Sequence, residues 1–592
     1  MILERAEISG FRGLAKLAVN FTDRTVLIGE NAWGKSSLLR ALLSVFGGGD
    51  HPYQFKTTDF RTVIPGSLED REGPVYRYQE GDPDHVVKSI VMVFTFRERT
   101  FGSALSNSNS RRLQPYWQQC SDMYTRIFYC VRGYLLEDGT VQTIHGFRSR
   151  TGSLMDGDAS LQVRMLLLLN PLFRLRDSRT SGFTEPDIVR TEKRMNPPLG
   201  LDLEEDKRRF GGKNGRNNFE KLAGVLKRLF RNVMKGEGAD LAPEFIDRAI
   251  DSMRQLVEHY FQVTSGGQVK YLKPQNRSLH DIVSRPIPNG SLASLQNLVS
   301  LADKKKAGFI LALIAGALLS ASQGRRLQIH AHPIVIFEDI DSRLHPVELF
   351  GFWNVVSMLP MQQIITTNSG DILSTVNLSD IRRMYSMPFE TRCYCIDEKK
   401  FSSDELRKIA FHIRINRPMS LYARGWIFVE GETEIWLLNE FANIMGLNLL
   451  ATGIRLVEYA QCGSGALIKL AQQLGLCWRL LADGDLAGQK YTTSGPAGDN
   501  PDKVTMLPAV DIEHYLYENG FENVYRAESG YGNAEGIGPS KIIERALKRR
   551  TKPGMAVAVA DYASHRGPKI IPKVIADVLK GIVEEASSSY NW

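Results

Sequence analysis

The chain has 592 residues, 43% of them apolar and 24% charged, with 74 Lys and Arg against 66 Asp and Glu for a net charge of +8. That balance excludes a disordered, collagen-like or disulfide-framework protein and supplies material for about three or four domains. The basic excess is spread thinly and favours a polyanionic partner such as nucleic acid only weakly.

Residues 1–45 alternate strand patterns (Leu3, Ala6, Ile8) with turns (Phe11-Arg12-Gly13). Val26-Leu27-Ile28 then reads as a short buried strand, and Leu38-Leu39-Arg40-Ala41-Leu42-Leu43 as a helix. Between them Gly29-Glu30-Asn31-Ala32-Trp33-Gly34-Lys35-Ser36-Ser37 fits G-x-x-x-x-G-K-[ST], the phosphate-binding loop, in its required strand–loop–helix setting. Gly29 and Gly34 let the backbone wrap a phosphate against the positive end of the helix. Lys35 would reach the β- and γ-phosphates of ATP, and Ser36 a Mg²⁺ ion.

Residues 50–160 contain β-runs, Ser89-Ile90-Val91-Met92-Val93-Phe94-Thr95-Phe96 and Ile127-Phe128-Tyr129-Cys130-Val131, and predict a β-rich lobe. Residues 165–169 read as a strand, too short to span a bilayer, followed by Arg174-Leu175-Arg176-Asp177-Ser178-Arg179, where an Arg could meet phosphates or pair internally. Residues 177–215 are polar and basic, a solvated loop or a DNA-contacting segment. Residues 218–262 show helical spacing, as of a hairpin inserted into the ATP-binding lobe. The six cysteines lack zinc-knuckle spacing and read as reduced thiols, and nothing suggests a signal peptide, so a cytoplasmic location is expected.

Pro333-Ile334-Val335-Ile336-Phe337-Glu338-Asp339 is an apolar run ending in two carboxylates, which can hold a Mg²⁺ water shell and polarise an attacking water. Glu338-Asp339-Ile340-Asp341-Ser342-Arg343-Leu344-His345-Pro346 resembles the D-E-P-E-x-x-L-H-P stretch of SMC and RecF-like ABC ATPases. The resemblance gives Glu338 the Mg²⁺-side position and Asp339 the catalytic carboxylate, in the reverse of the usual Asp-then-Glu order. Gln363-Ile364-Ile365-Thr366-Thr367-Asn368-Ser369 matches the strand and switch loop that usually ends in T-T-H-S, with Asn368 replacing the histidine at the γ-phosphate. Asn289-Gly290-Ser291-Leu292-Ala293-Ser294, before an apolar helix at 307–319, stands where the ABC signature belongs or is simply a helix N-cap.

A further domain begins near Arg424. Trp426-Ile427-Phe428-Val429-Glu430 is a buried strand, Gly431 a turn, and Glu432-Thr433-Glu434 a helix start, so Glu430 and Glu434 can share one strand edge. After a helix and the strand Ile454-Arg455-Leu456-Val457-Glu458 comes Leu480-Leu481-Ala482-Asp483-Gly484-Asp485, whose two aspartates on an extended segment would point the same way. Asp511-Ile512-Glu513 repeats that spacing. Hard oxygen donors without His or Cys select Mg²⁺ or Mn²⁺ over zinc.

The ordered set E-G, E, D-x-D and then Gly488 resembles the Toprim domain of topoisomerases, primases and OLD-family nucleases. An ABC ATPase followed by Toprim resembles the OLD (overcoming lysogenization defect) family of ATP-dependent endonucleases across essentially the whole chain. The resemblance implies an α/β protein: an ABC/SMC-like P-loop ATPase with a β-rich lobe and an inserted helical dimerisation region, then a Toprim, Rossmann-like nuclease domain. The expected boundaries are 1–170 and 286–420 for the two ATPase parts, 171–285 for the insertion and 424–592 for Toprim. By resemblance, Gly29, Asn31, Gly34, Lys35, Ser36, Ser37, Glu338, Asp339 and Asn368 bind ATP. Glu430, Glu434, Asp483, Asp485, Glu513 and Asp511 would be ligands of the catalytic metals. Lys552 would assist cleavage ahead of a helix at 556–563, with Lys541, Lys548 and Lys569 as rivals. DNA would be the substrate, phage defence or DNA processing the setting, and the protein a homodimer or higher oligomer with a possible helicase, RNA or msDNA partner. The competing reading is an SMC/RecF-like DNA-binding ATPase whose Toprim-like domain only binds; a Toprim primase or topoisomerase fits less well.

Overall fold

A computed structural model describes residues 1–176 and 331–588, apart from short stretches within 65–84, 106–110 and 340–360 and residues 388 and 494. The basic segment at 177–215, the helical spacing at 218–262, the segment at 289–294 and the apolar helix at 307–319 lie outside the described residues. The chain divides into two compact units. One holds Met1–Leu27, Asn31–Asn368 and Phe389–Thr391; the other holds Ile28–Glu30, Ser369–Pro388 and Arg392–Trp592.

In the first unit an antiparallel block runs in the spatial order Val141–Phe147, Thr125–Leu135, Ser89–Arg97, Ile2–Phe11, Leu14–Asn20. The helix Lys35–Phe46 buries Leu38, Leu39, Ala41, Leu42, Val45 and Phe46. Phe46 closes on Phe94 and Phe96 edge-to-face, with ring centroids 4.9 and 5.6 Å away. Removing such a ring costs about 3–5 kcal/mol, so this contact fixes where the helix begins and thus where the phosphate loop lies.

A parallel block follows in the order Arg24–Ile28, Gln362–Thr366, Ile334–Glu338, Leu172–Arg176. Every residue of Ile334–Glu338 and Gln362–Thr366 is buried, which explains their near-continuous apolar runs. Gln362, one of the polar residues buried there, has its amide satisfied: Oε1 accepts from the Leu3 N–H at 3.0 Å and Nε2 donates to the Leu3 carbonyl at 2.7 Å. Residues 165–169, expected as a strand, form the end of the helix Ser160–Leu169 instead. The run is mostly Leu, which is not β-branched and is a strong helix former, and a short apolar run does not by itself distinguish helix from strand.

The second unit contains a parallel four-stranded sheet in the order Ile454–Glu458, Gly425–Val429, Cys477–Ala482, Val504–Met506. All of Gly425–Val429 is buried. The helix Glu432–Ile444 packs Leu437, Leu438 and Phe441 into a core shared with Tyr525, Ile542, Val559, Ile575 and Leu579 of the C-terminal helices. The chain runs from Gly425–Val429 to the strand on one side, then crosses to Cys477–Ala482 on the other. The order therefore reverses between Gly425–Val429 and Cys477–Ala482, and the crevice at the carboxyl ends of those strands is where open α/β sheets bind ligands. Among the described residues no helix is long and apolar enough to cross a membrane.

Candidate functional site

The phosphate loop leaves Ile28 through Gly29 at φ 142° and enters the helix Lys35–Phe46 through Gly34 at φ 87°. Both values suit glycine and strain any other residue. Gly34 is the N-cap and no side chain caps this helix, so its first N–H groups keep the anion-binding capacity of a helix start. Lys35 is buried, whereas Asn31 and Ser36 are exposed and Ser37 is half-buried.

Ser36 and Ser37 line a pocket with Arg12, Arg40, Arg174 and Glu338. Of the alternatives for Arg174, the structure shows internal pairing: its guanidinium donates to Glu338 Oε2. Arg12, read only as part of a turn, is a cation of this pocket and is anchored by Nη2 to Asp59 Oδ1 at 2.8 Å.

Asp339 follows Glu338 exposed, at φ 50°. Its N–H donates to Thr366 Oγ1, and that hydroxyl donates back to Asp339 Oδ1, both at 3.2 Å. Asn368 is exposed, and its N–H is held by Asp341 Oδ2 at 3.1 Å. Glu338, Asp339 and Asn368 thus cluster at the carboxyl ends of adjacent parallel strands.

In the second unit Glu430 directly follows one strand flanking the reversal and Asp483 directly follows the other. Glu434 lies in the first turn of Glu432–Ile444, where its Oε2 accepts the Gly431 N–H at 2.8 Å. Burial, then the neighbouring Glu434 and Asp485, push the Glu430 carboxyl above its usual range. Glu434 is also raised, by burial first and then by Glu513, against the pull of its backbone hydrogen bonds. Asp483 moves furthest, pushed up to about 8 by burial and by Glu430, Glu434, Asp511 and Glu513. Lys552 Nζ stands 3.1 Å from Glu513 Oε1. Burial works to lower the pKa of this ammonium, but Glu513, Glu434 and Asp511 outweigh it and the net shift is upward.

Three local expectations change. Asp483 and Asp485 do not lie on an extended segment; they follow the strand in a bend, and Asp485 Oδ1 caps the next helix by accepting the Gly488 N–H at 2.7 Å. Asp511 and Glu513 are not extended either: Asp511 is the N-cap of Ile512–Leu516 and Glu513 lies in its first turn. Asp favours such caps because its short side chain reaches the free N–H groups of the helix start. Asp511 Oδ1 meets both the His514 N–H at 2.8 Å and His514 Nδ1 at 2.6 Å, so that oxygen is already engaged. Lys552 does not precede its helix but opens it: Lys552–Arg566 starts at Lys552, with Thr551 as cap and Pro553 in the first turn. Lys541 and Lys548 lie on the preceding helix Pro539–Arg550, and Lys569 in the short turn Pro568–Ile570.

The donors suit a hard divalent cation. They are carboxylate oxygens, those of Glu430, Glu434 and Asp483 destabilised as anions by burial and by their acidic neighbours, and Glu430 Oε2 is buried with no hydrogen-bond partner. Among the described residues no three His, Cys, Asp or Glu side chains already stand at metal-ligand spacing. Facing anions repel, and a cation is what draws such a set together.

A P-loop ATPase-type α/β fold in one chain with a Toprim-type α/β domain defines the class. The chain belongs to the family described as "Protein of unknown function (DUF2813)", whose model matches residues 1–420, and residues 421–485 match the TOPRIM domain of overcoming lysogenization defect protein-like proteins. It is 33% identical over 590 residues to uncharacterized protein YbjD of Escherichia coli (strain K12), covering 98% of this chain and 99% of that one. Among solved structures, the C-terminal region of the Burkholderia pseudomallei OLD protein matches 28% of this chain and 99% of its own at 19% identity and TM-score 0.24. The SMC head domain from Thermotoga maritima matches 67% of this chain and 100% of its own at 13% identity and TM-score 0.28. At those TM-scores neither structure adds to the assignment.

Proposed function

We propose that the protein is an ATP-binding, divalent-metal-dependent DNA endonuclease that hydrolyses phosphodiester bonds at the carboxylates of its second unit. The observation that carries this reading is Asp483, a carboxyl group pushed up to about 8 by burial and by acidic neighbours at the reversal point of a parallel sheet. A binding surface for DNA has no use for buried like charges, whereas a cation site requires them.

Glu430, Glu434, Asp483, Asp485 and Glu513 would hold Mg²⁺ or Mn²⁺, with Asp511 orienting His514 beside them. Bound divalent cations in such sites generate a nucleophile from water at neutral pH and stabilise the leaving oxygen. Lys552, whose Nζ stands 3.1 Å from Glu513 Oε1, would offer a positive charge to a scissile phosphate. In the first unit Lys35 and Ser36 would bind the phosphates and Mg²⁺ of ATP, Glu338 the Mg²⁺ side, and Asp339 the attacking water. The carboxyl of Asp is one methylene shorter than the usual Glu, which suits slow turnover and a gating role. Phage defence or DNA processing in the cytoplasm, by a homo-oligomer, is the setting this reading favours.

The test is cleavage of supercoiled plasmid with Mg²⁺ or Mn²⁺, with and without ATP, comparing wild type, Lys35→Ala and Asp483→Ala. Loss of cleavage in Asp483→Ala with ATP turnover intact supports the nuclease. Unchanged cleavage in that variant sinks it in favour of a DNA-binding ATPase with a non-catalytic acidic domain.

A further inference from the structure

Tyr459 is fully buried, and its hydroxyl has no hydrogen-bond partner. A buried donor without a partner costs about 1–3 kcal/mol, and a phenol could be exchanged for a phenyl ring without that cost. The position of the orphan is informative. Strands Gly425–Val429 and Ile454–Glu458 are parallel with Val429 opposite Glu458, and the Tyr459 N–H continues the ladder to the Val429 carbonyl at 2.9 Å. One step further along that register, Tyr459 is the neighbour of Glu430. Side chains at matched positions of adjacent strands share a face of the sheet.

Glu430 carries the complementary orphan, the buried acceptor Oε2. A phenol is protonated at neutral pH, so Tyr459 has a proton to give. Its ring packs edge-on against Tyr491 with centroids 5.1 Å apart, a contact a phenylalanine ring would keep.

We infer that Tyr459 is a positioning residue of the cation site, its hydroxyl donating to a lone pair of the Glu430 carboxylate that the cation leaves free. This rests on the reading of the carboxylates as a divalent-cation site. Ligating carboxylates are commonly held by such a partner, and its removal weakens metal affinity by about 10- to 100-fold. The sequence motif points to the carboxylates alone; the tyrosine is found by strand register and by the pairing of two orphans.

The experiment is calorimetric titration of the full-length protein with Mn²⁺, without nucleic acid, for wild type, Tyr459→Phe and Asp483→Ala, alongside melting of the metal-free proteins. Tyr459→Phe is expected to bind Mn²⁺ about 10- to 100-fold more weakly while melting as wild type does without metal. Plasmid cleavage by the variant should then recover as Mn²⁺ is raised. Wild-type Mn²⁺ affinity in Tyr459→Phe overturns the inference but leaves the cation site standing, as does a fall in metal-free melting with affinity unchanged, which marks a packing role. Equal titrations of wild type and Asp483→Ala overturn the cation site itself, and this inference with it.

Discussion

Lys552 Nζ lies 3.1 Å from Glu513 Oε1, joining the first residue of one helix to the first turn of another across the acidic crevice. The pair is asymmetric: the Glu513 side chain is 5% exposed and that of Lys552 60%. An ammonium this open to water adds little stability, about 0–1 kcal/mol, so its placement serves the crevice more than the fold. Lys552→Met is therefore expected to melt within a few degrees of wild type and yet lose plasmid cleavage. The rival lysines supply the control. Lys548 pairs with Glu544 on its own helix, and Lys548→Met should cleave normally; a reversed result would move the catalytic cation to that helix.

A second prediction concerns pH. Asp483 is pushed up to about 8 in the folded protein from an ordinary value of 3.8, and Glu430 and Glu434 are shifted in the same direction. The native state therefore binds more protons than the unfolded state between those limits. The stabilising contribution of Asp483 is fully present below about pH 4 and is lost as pH rises through about 8. Metal-free protein in chelator should accordingly melt lower at about pH 9 than at about pH 6, and added Mn²⁺ should recover the difference. Asp483→Asn should flatten the slope. A metal-free melting temperature rising over that range, unaltered by Asp483→Asn, would contradict the burial of these carboxylates.

In the first unit, Lys35 sits at the opening of a helix with no side-chain cap, and its removal takes away the one cation the loop motif aims at the nucleotide. Lys35→Ala should weaken binding of a fluorescent ATP analogue by at least about tenfold while leaving Mn²⁺ titration of the second unit unchanged. Simultaneous loss of both would mean that the substitution disturbs the fold rather than the phosphate contacts.

The candidate residues of both sites were legible in the chain by type and spacing. The loop between Gly29 and Ser37 needs glycines and a lysine at fixed offsets, and the structure sets it between a strand and a helix as its pattern requires. Glu430 and Asp483 were legible because buried apolar strands end on them. What the spacing misjudged was backbone local to helix starts. Asp485, Asp511 and Glu434 use a carboxylate oxygen to hold an N–H of their own turn, so their apparent period of two or four reflects capping as much as shared direction. Arg12 and Tyr459 were not legible, because a turn arginine and a residue just past a strand become site residues only through neighbours distant in sequence.

Arg383 gives a prediction about stability alone. It is 1% exposed, and it donates through Nη1 to the Leu474 carbonyl and through Nη2 to the Ala423 carbonyl, both at 3.0 Å. Ala423 precedes the strand Gly425–Val429 that leads to Glu430, and Leu474 follows the helix Ser464–Gln473. Arg383→Met would leave both carbonyls buried without donors, at about 1–3 kcal/mol each, offset in part by no longer burying a cation. Urea unfolding should show a net loss of about 2–4 kcal/mol with an unchanged slope. A loss below about 0.5 kcal/mol would mean that water or another donor replaces the guanidinium.

The last prediction tests whether backbone closeness at the crevice is required. A Cβ at Gly488 would stand 1.9 Å from the Asp483 carbonyl oxygen and 2.8 Å from its carbon, while the Gly488 N–H is the donor that Asp485 Oδ1 holds. Gly488 does not need an unusual φ, so the demand is for space. Gly488→Ala must push the helix Leu486–Thr493 away from the strand end and carry Asp483 and Asp485 with it. A displacement of about 1 Å is enough to cost about 100-fold in a reaction that depends on positioned ligands. Gly465→Ala is the matched control, because the nearest atom its Cβ would meet is the Pro496 side chain at 3.8 Å. Mn²⁺ titration of the two variants should separate them: weak or absent binding in Gly488→Ala, wild-type binding in Gly465→Ala. Equal affinities would show that the carboxylates tolerate the shift and that Gly488 is there for helix packing alone.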